Sequence, residues 1–229
     1  MKRNFIGIAV LAILAILVIP AICFATPPRP GPYASVFLGV SIPEDMDVTT
    51  TYFGDPQQYD DRVEFDPGIF TGGTAGFDFG YVRLEGEISY RYSDMDSITA
   101  KTEGFEFNSV DGNLGVFSMM ANAWFDFHNA SLITPYWGGG IGFAVLDQDD
   151  TYVVDPQGGS GVLYPGDDDT VFAYQLGVGI EIALNPMMSL DIGYRYFGTS
   201  DAKFNSDPYI SSEGNFESHN AVAALRVNF

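Results

Sequence analysis

The segment VRLEGEISYRY, residues 82–92, alternates between two kinds of side chain. One parity carries the apolar and aromatic residues, namely Val82, Leu84, Ile88, Tyr90 and Tyr92, with Gly86 among them. The other carries the charged and polar residues, namely Arg83, Glu85, Glu87, Ser89 and Arg91. Because a strand sends successive side chains to opposite faces, this pattern predicts a strand with one apolar and one charged face. In a soluble sheet the apolar face is buried, whereas in a membrane-spanning barrel it faces lipid. The alternation alone fits both.

The N-terminus predicts export. Lys2 and Arg3 precede an almost wholly apolar run over residues 5–19, and small residues follow at Cys23 and Ala25. This order is typical of a secretory signal peptide over residues 1–25. Two alternatives stay open, an uncleaved signal anchor and a lipoprotein cleaved before Cys23. After cleavage, we expect residues 26–32 (TPPRPGP) to form an extended Pro-rich periplasmic segment, followed by one domain over residues 33–229.

Composition narrows the class of the exported protein. No apolar run after residue 25 approaches the roughly 20 residues that a membrane helix needs. The only cysteine, Cys23, leaves with the signal peptide, so the mature chain has no disulfide and no thiolate metal site. Asp and Glu total 30 against 10 Lys and Arg, which excludes nucleic acid as a partner because phosphate binding needs clustered cations. A soluble β-protein and an outer-membrane barrel remain.

Eight segments have strand-like alternation or β-rich apolar content. The predicted strands are residues 33–41, 69–79, 82–92, 113–126, 133–146, 170–184, 188–197 and 218–229. Their connections alternate between short and long, and the long ones are 42–68, 93–112, 147–169 and 198–217. Short periplasmic turns and long outer loops are typical of an outer-membrane barrel. The sequence therefore predicts an all-β fold, an eight-stranded antiparallel up-and-down transmembrane β-barrel with both termini in the periplasm.

In this arrangement, aromatic residues are concentrated at the two ends of the barrel. A predicted girdle at the long-loop end contains Tyr90, Tyr92, Tyr194 and Tyr196, and one at the short-turn end contains Phe125 and Phe229. Two such girdles border the lipid-facing band of a membrane barrel, whereas aromatics in a soluble barrel have no reason to sort by end. We therefore expect outer-membrane lipid and lipopolysaccharide around the barrel.

Four segments resemble strands of a known family. They are PYWGGGIGFA (135–144), YQLGVGIEIAL (174–184), SLDIGYRYFG (189–198) and SHNAVAALRVNF (218–229). They resemble the eight-stranded outer-membrane barrels of Gram-negative bacteria, including the opacity and surface-antigen proteins and the barrel domain of outer membrane protein A. The resemblance covers about residues 33–229. It implies that the assembly machinery of the outer membrane reads the last strand through Phe229, although Val227 stands where an aromatic residue is frequent.

The side chains predicted to point into the barrel include many charged residues. The predicted interior residues are Arg83, Glu85, Glu87, Arg91, Glu181, Asp191, Arg195 and Arg226. Because charges in a low-dielectric interior must be paired, we expect an internal network of ion pairs that fills the lumen. A gated conducting path is the alternative.

Catalysis and metal binding have little support in the residues. The only histidines are His128 and His219, and Ser218 beside His219 would point to the opposite face, so no catalytic site and no cofactor are predicted. Asp147, Asp149, Asp150 and Asp155 are weak candidates for Ca²⁺, although their spacing does not match an EF-hand loop.

Function is therefore assigned to the surface loops. Most acidic residues lie in the four long connections, and loops on a rigid scaffold commonly carry function. We expect a monomeric, non-enzymatic outer-membrane protein with a structural or adhesion-like role, in which the loops bind an extracellular protein. A narrow channel or transporter for small apolar solutes is the alternative. Conductance or uptake in liposomes would favour transport, and loop-dependent binding to cells would favour interaction.

Overall fold

The computed structural model describes residues 30–52, 58–100, 105–107, 110–129, 131–148, 151–154, 160–164, 167–207 and 210–229. The signal-peptide prediction and most of the Pro-rich segment lie outside these residues. No helix in the described part of the chain is long and apolar enough to cross a membrane.

All regular secondary structure in the described residues consists of β-strands. They are β1 (Gly31–Pro43), β2 (Met46–Tyr52), β3 (Gln58–Phe65), β4 (Gly68–Asp78), β5 (Val82–Ala100), β6 (Phe105–Phe107), β7 (Val110–Asp111), β8 (Asn113–Asp126), β9 (Ile133–Gln148), β10 (Thr151–Val154), β11 (Ser160–Tyr164), β12 (Asp167–Ala183), β13 (Met188–Thr199), β14 (Ala202–Asp207), β15 (Ile210–Gly214) and β16 (Glu217–Asn228).

Eight of these strands close a barrel, and they correspond to the eight predicted segments. The antiparallel ring runs β1–β4–β5–β8–β9–β12–β13–β16 and closes where β16 pairs with β1. Three short turns join the strands at one end of the barrel, where the first and last residues of the ring also lie. The predicted eight-stranded, up-and-down barrel is therefore confirmed.

The register around the ring gives the stagger of the strands. Each residue has a paired residue on the next strand, and these pairs can be traced around the ring from Tyr33 on β1. The path runs through Gly76, Glu85, Asn122, Gly140, Gln175, Phe197 and Ser218 and returns to β1 at Pro43. The return is displaced by ten residues (43 − 33). With a rise of about 3.3 Å and a strand spacing of about 4.7 Å, a shear of ten over eight strands tilts them by about 41°.

Side chains alternate across this wall as the sequence predicts. On β5, Leu84 and Ile88 are about half exposed on the outer face, while Glu87 and Arg91 are almost completely buried in the lumen. The same holds for β1, where Leu38 is exposed and Phe37 is buried. An apolar outer face around a polar lumen is the arrangement of a barrel in lipid.

The long connections differ from the prediction because four strands continue beyond two-residue breaks. At the long-loop end, two-residue breaks separate β1 from β2, β3 from β4, β13 from β14 and β15 from β16. Beyond these breaks, β2, β3, β14 and β15 pair with one another and with the end of β5. We call these four strands and residues 95–100 of β5 the collar. The 19 residues of β5 rise about 47 Å along a barrel axis at this tilt, whereas the lipid-facing band is about 25 Å tall. The collar therefore stands above the membrane.

Candidate functional site

The lumen near the short turns contains a buried cluster around Arg83. Its Nε lies 2.8 and 3.1 Å from the two carboxylate oxygens of Asp126, and its Nη1 lies 3.9 Å from Asp191. The hydroxyl of Tyr136 donates to Asp191 at 2.5 Å, and the guanidinium of Arg83 lies over the Tyr136 ring at 4.7 Å. β5, β8, β9 and β13 each contribute one of these side chains, so the cluster ties the wall together across the lumen.

A second cluster fills the middle of the lumen around Glu87. Arg195 Nη1 lies 2.5 Å from Glu87 Oε2, and the same oxygen accepts hydrogen bonds from Asn122 at 3.0 Å and Gln175 at 3.2 Å. Gln175 also donates to the Asn122 side chain at 2.7 Å. These groups come from β5, β8, β12 and β13, so a single carboxylate connects four strands.

Glu85 is held by neutral donors rather than by a cation. The Tyr33 hydroxyl donates to one of its oxygens at 2.7 Å, and the Trp124 indole and the Asn122 amide donate to the other at 2.8 and 3.2 Å. A buried carboxylate is stable only when hydrogen bonds replace its lost hydration. Trp124 is 2% exposed, so its ring also blocks the lumen at this level.

Arg91 marks the boundary between the polar and apolar parts of the lumen. Its guanidinium lies between the rings of Phe70 and Phe197, at 4.2 and 3.8 Å from their centroids. Its Nη1 donates to Ser118 at 3.1 Å, and no carboxylate of the described residues lies within ion-pair distance. Contact with the faces of two aromatic rings compensates part of the hydration that this cation has lost.

Beyond Arg91 the interior is mainly apolar, with a few buried hydroxyls such as Ser41 and Ser93, and it continues into the collar. The buried cluster combines residues of the barrel wall with residues of the collar, including Val116, Met120, Leu146, Val171, Phe197, Met46, Val63, Met95, Ile98 and Phe204. A packed apolar layer above a hydrogen-bonded layer leaves the lumen filled by side chains at both levels.

All eight predicted interior charges lie on the lumen side, but they do not all pair with one another. Glu87 pairs with Arg195, Arg226 contacts Glu181, and Arg83 approaches Asp191. Glu85 and Arg91 have the neutral partners described above. The interior also contains two acids that were not predicted, because Asp78 and Asp126 are buried there as well.

Sequence reasoning missed Asp126, the main partner of Arg83. The parity of β8 contains the signal, since Asp126 shares it with the inward Ser118, Met120 and Asn122, opposite the exposed Phe117 and Phe125. Tyr33, Tyr136 and Gln175 had no comparable signal, because their roles depend on which residues meet across the lumen.

The predicted aromatic girdles lie on the outer face. Tyr90, Tyr92, Phe125 and Phe229 are between 37% and 76% exposed, and Phe125 stacks on Trp137 with ring centroids 5.2 Å apart. Tyr194 and Tyr196 are half-buried and contact His219 at the edge of the collar. The Tyr194 hydroxyl lies 2.5 Å from His219 Nδ1, and Glu44 lies 2.7 Å from His219 Nε2.

Neither His128 nor His219 has a hydrogen bond to a serine among the residues that the structure describes. Ser218 is fully buried towards the lumen, whereas His219 points outward, as the sequence predicts for neighbours in a strand. His128 Nε2 contacts the carbonyl oxygen of Gly80 in the neighbouring turn.

The predicted Ca²⁺ ligands are only partly described. Asp149, Asp150 and Asp155 lie outside the described residues, and Asp147 lies on β9 opposite Asp168 of β12. Within the described ranges, no group of three or more His, Cys, Asp or Glu residues could hold a metal ion.

The outer face of the collar is polar and mainly acidic. Lys203, Glu213, Thr49 and Asp60 are cross-strand neighbours on β14, β15, β2 and β3. Lys203 Nζ lies 2.9 Å from Glu213, and this hydrogen bond raises the pKa of Lys203.

A second ion pair lies on the same face. Arg62 Nε lies 3.2 Å from Asp47, and its Nη1 lies 3.9 Å from Asp45. The described cations of the collar, Arg62 and Lys203, are thus both paired with acids, while further acids such as Asp60 and Asp96 are exposed.

Comparisons with known proteins agree with this architecture. The family model for the outer membrane protein beta-barrel domain matches residues 11–229. Outer membrane protein PagN of Salmonella typhimurium is 27% identical over 157 residues, which cover 64% of this chain and 64% of PagN. The chain thus matches less than two thirds of that relative's length.

Two solved structures have a similar fold. Neisserial surface protein A has a TM-score of 0.51 and 18% identity, with 87% of this chain and 97% of that chain covered. OprG from Pseudomonas aeruginosa has a TM-score of 0.57 and 12% identity, with 89% and 98% covered. At these identities the likeness shows the fold alone. Together with the family match and the lipid-facing wall, it identifies the chain as a member of the outer-membrane β-barrel family, an integral protein of the outer membrane of a Gram-negative bacterium.

Proposed function

We propose that this barrel is a non-enzymatic surface-interaction protein that acts through the outer face of its collar. One observation carries the proposal: the lumen is filled by buried side chains, while the wall continues above the membrane as a hydrogen-bonded sheet with an exposed, acidic outer face. A lumen filled by side chains leaves little space for solutes to pass. A sheet anchored in a barrel, in contrast, presents its side chains in fixed positions.

The charge of the collar favours a cationic partner. Acidic residues exceed basic ones on this face, and the two described cations already have acidic partners. Complementary charge raises association rates and selects against partners of like charge. We therefore infer that the partner is a lysine- or arginine-rich protein surface on a host or neighbouring cell.

Binding to a polycation tests this proposal. Mature protein in lipid nanodiscs is passed over immobilised poly-lysine and over cells, and compared with a variant carrying Asp47→Asn, Asp60→Asn, Asp96→Asn and Glu213→Gln. We expect at least tenfold weaker binding by the variant, and weaker binding by the parent protein as salt rises. Thr51→Asn, an exposed neutral position on β2, is the matched control. Equal binding by the parent and the fourfold variant would remove the collar as the interaction surface.

Assembly and lipid contact complete the proposal. The side chain of Phe229 is 76% exposed, and its backbone N–H donates to the Pro32 carbonyl at 3.0 Å, so the terminal side chain faces outward from a closed seam. We propose that the assembly machinery binds this residue before the seam closes, and that the finished barrel is a monomer surrounded by lipid and lipopolysaccharide. Deleting Phe229 should lower the fraction of heat-modifiable barrel in outer membranes, and an unchanged fraction would contradict this role.

The apolar upper lumen favours a second candidate, transport of small apolar solutes. Met46, Met95 and Met120 lie in the cluster there, and methionine adapts readily to apolar ligands. Planar-bilayer conductance and uptake of small apolar solutes into liposomes separate the two candidates. Solute uptake above that of protein-free liposomes would favour transport. Its absence, together with loop-dependent cell binding, would favour interaction.

A further inference from the structure

Above the membrane, the wall of the protein is hydrogen-bonded between all neighbouring strands except one pair. The path β14–β15–β2–β3–β5–β8–β9–β12 is paired at each step, but its two ends, β12 and β14, form no strand pair in the described residues. The pairing of β12 with β13 begins only at Ala173, so residues 167–172 of β12 have a strand partner on the β9 side alone. We call the gap between residues 167–172 and residues 202–204 of β14 the notch.

Backbone groups of both edges point into the notch. At its base, the Ser200 N–H donates to the Phe172 carbonyl at 2.9 Å. Alternate residues of a strand direct their N–H and C=O groups to the same side, so Asp168 and Thr170 direct theirs into the notch as Phe172 does. From the opposite edge, the N–H of Lys203 faces them, because it reaches a side chain of β12.

Aspartate side chains take the place of a strand in the notch. The Asp168 N–H donates to Asp167 Oδ1 at 3.0 Å, and the Thr170 N–H donates to Asp169 Oδ1 at 2.8 Å. The other oxygen of Asp169 accepts from the Lys203 N–H at 2.8 Å, so one carboxylate spans the notch. An ionised carboxylate can only accept hydrogen bonds, so it satisfies the N–H groups of the edges but not their carbonyl oxygens. An extended backbone would supply donors and acceptors together.

The charge around the notch selects the chemistry of such a segment. Asp168 on β12 and Asp201, just before β14, are exposed, and the Asp169 carboxylate lies between the two edges. Lys203, the cation of the β14 edge, is already paired with Glu213. Complementary charge therefore favours a segment that carries lysine or arginine.

We propose that the notch binds an extended cationic segment of the partner protein as an additional β-strand. Its N–H groups donate to the carbonyl oxygens of Asp168 and Thr170, and its carbonyl oxygens accept from the N–H groups that the aspartates now occupy. The carboxylates released in this exchange, those of Asp167 and Asp169, pair with lysine or arginine side chains of the segment. This inference rests on the proposed function for its cationic partner and adds the conformation in which that partner binds.

Two peptides of equal charge test the backbone pairing on the unmodified protein. The first alternates lysine and threonine over eight residues, and the second has the same sequence with every backbone amide N-methylated, which keeps the charges and removes the donors. Calorimetry with mature protein in lipid nanodiscs measures both. We expect the first peptide to bind at least tenfold more tightly. Equal binding of the two would overturn the proposal, and so would no binding by the first, because the aspartates would then only protect the edges from pairing.

Two substitutions at one position locate the site. Thr170→Pro removes an N–H that faces the notch and places the proline ring on that edge, while the bonds to β9 come from the neighbouring residues. Thr170→Ala is the matched control, because it keeps the N–H. We expect Thr170→Pro to bind the unmethylated peptide at least tenfold more weakly, and Thr170→Ala to bind it as the parent does. Unchanged binding by heat-modifiable Thr170→Pro would reject the site, and if this variant does not fold, the two peptides decide.

The poly-lysine experiment separates failure of this inference from failure of the proposed function. Equal binding of the two peptides, together with weaker poly-lysine binding by the fourfold collar variant, rejects the notch and retains the outer face of the collar as the interaction surface. Absence of binding to poly-lysine and to both peptides rejects both proposals.

Discussion

Arg83 and Asp126 form a buried ion pair between the neighbouring strands β5 and β8 on the lumen side, with Arg83 Nε at 2.8 and 3.1 Å from the two carboxylate oxygens. The residues are 43 positions apart in the chain and at most 4% exposed at their side chains. Replacing Asp126 by Asn leaves the guanidinium without its main counter-ion. We expect the free energy of unfolding to fall by about 3–5 kcal/mol, the usual cost of breaking a buried pair.

Asp47→Asn is the matched control for that experiment. Asp47 also accepts from an arginine Nε, at 3.2 Å from Arg62, but both side chains are largely exposed, and exposed pairs contribute about 0–1 kcal/mol. Urea unfolding in detergent micelles measures both variants. If the two substitutions cost the same, the buried pair does not stabilise the barrel beyond a surface pair.

The two buried arginines Arg91 and Arg195 should respond differently to the same substitution. Arg195→Met leaves Glu87 buried without its cation, so we expect a loss of about 3–5 kcal/mol. Arg91→Met leaves no carboxylate behind, and a methionine side chain packs well against Phe70 and Phe197. We expect a clearly smaller loss, which unfolding of the two variants side by side measures. A larger loss for Arg91→Met would mean that its contacts with the two rings outweigh the ion pair.

The lipid-facing wall predicts a strong effect of charge at Ile88. This side chain is 52% exposed on the outer face of β5, between Tyr90 at the long-loop end and Val82, which pairs with Phe125 at the short-turn end. Ile88→Arg should destabilise the barrel in a bilayer by about 2–4 kcal/mol, because the charge enters the hydrocarbon region. Thr51→Arg, an exposed position in the collar, should be nearly neutral. Reversible unfolding in lipid vesicles compares the two, and a neutral Ile88→Arg would place this strand outside the membrane.

Close strand contacts predict which glycines tolerate a side chain. A Cβ at Gly142 would collide with the carbonyl oxygen of Met119 and lie 2.8 Å from the Cα of Met120, whereas at Gly86 the nearest atom is 4.0 Å away. Gly142→Ala should therefore destabilise the barrel by about 1–3 kcal/mol, the usual range for overpacking, and Gly86→Ala should have little effect. The yield of heat-modifiable barrel after refolding tests both. Equal yields would show that β8 moves aside easily.

The sequence predicts which segments form strands and which face of a strand each side chain occupies, because both are local properties of the chain. Alternation along VRLEGEISYRY is sufficient to place Leu84 outside and Glu87 inside, since successive side chains of a strand point to opposite faces. The eight segments, their short turns and the lipid-facing girdles could be predicted for the same reason.

Only the tertiary structure decides which inward residues meet. That choice depends on barrel closure and on the ten-residue stagger, which bring Arg195 of β13 to Glu87 of β5 and place Arg91 between Phe70 and Phe197. The collar has the same origin, because β2, β3, β14 and β15 are stabilised by pairing with one another above the membrane rather than by a strong local pattern. Periodicity thus determines the faces of each strand, and the closed ring determines the contacts between them.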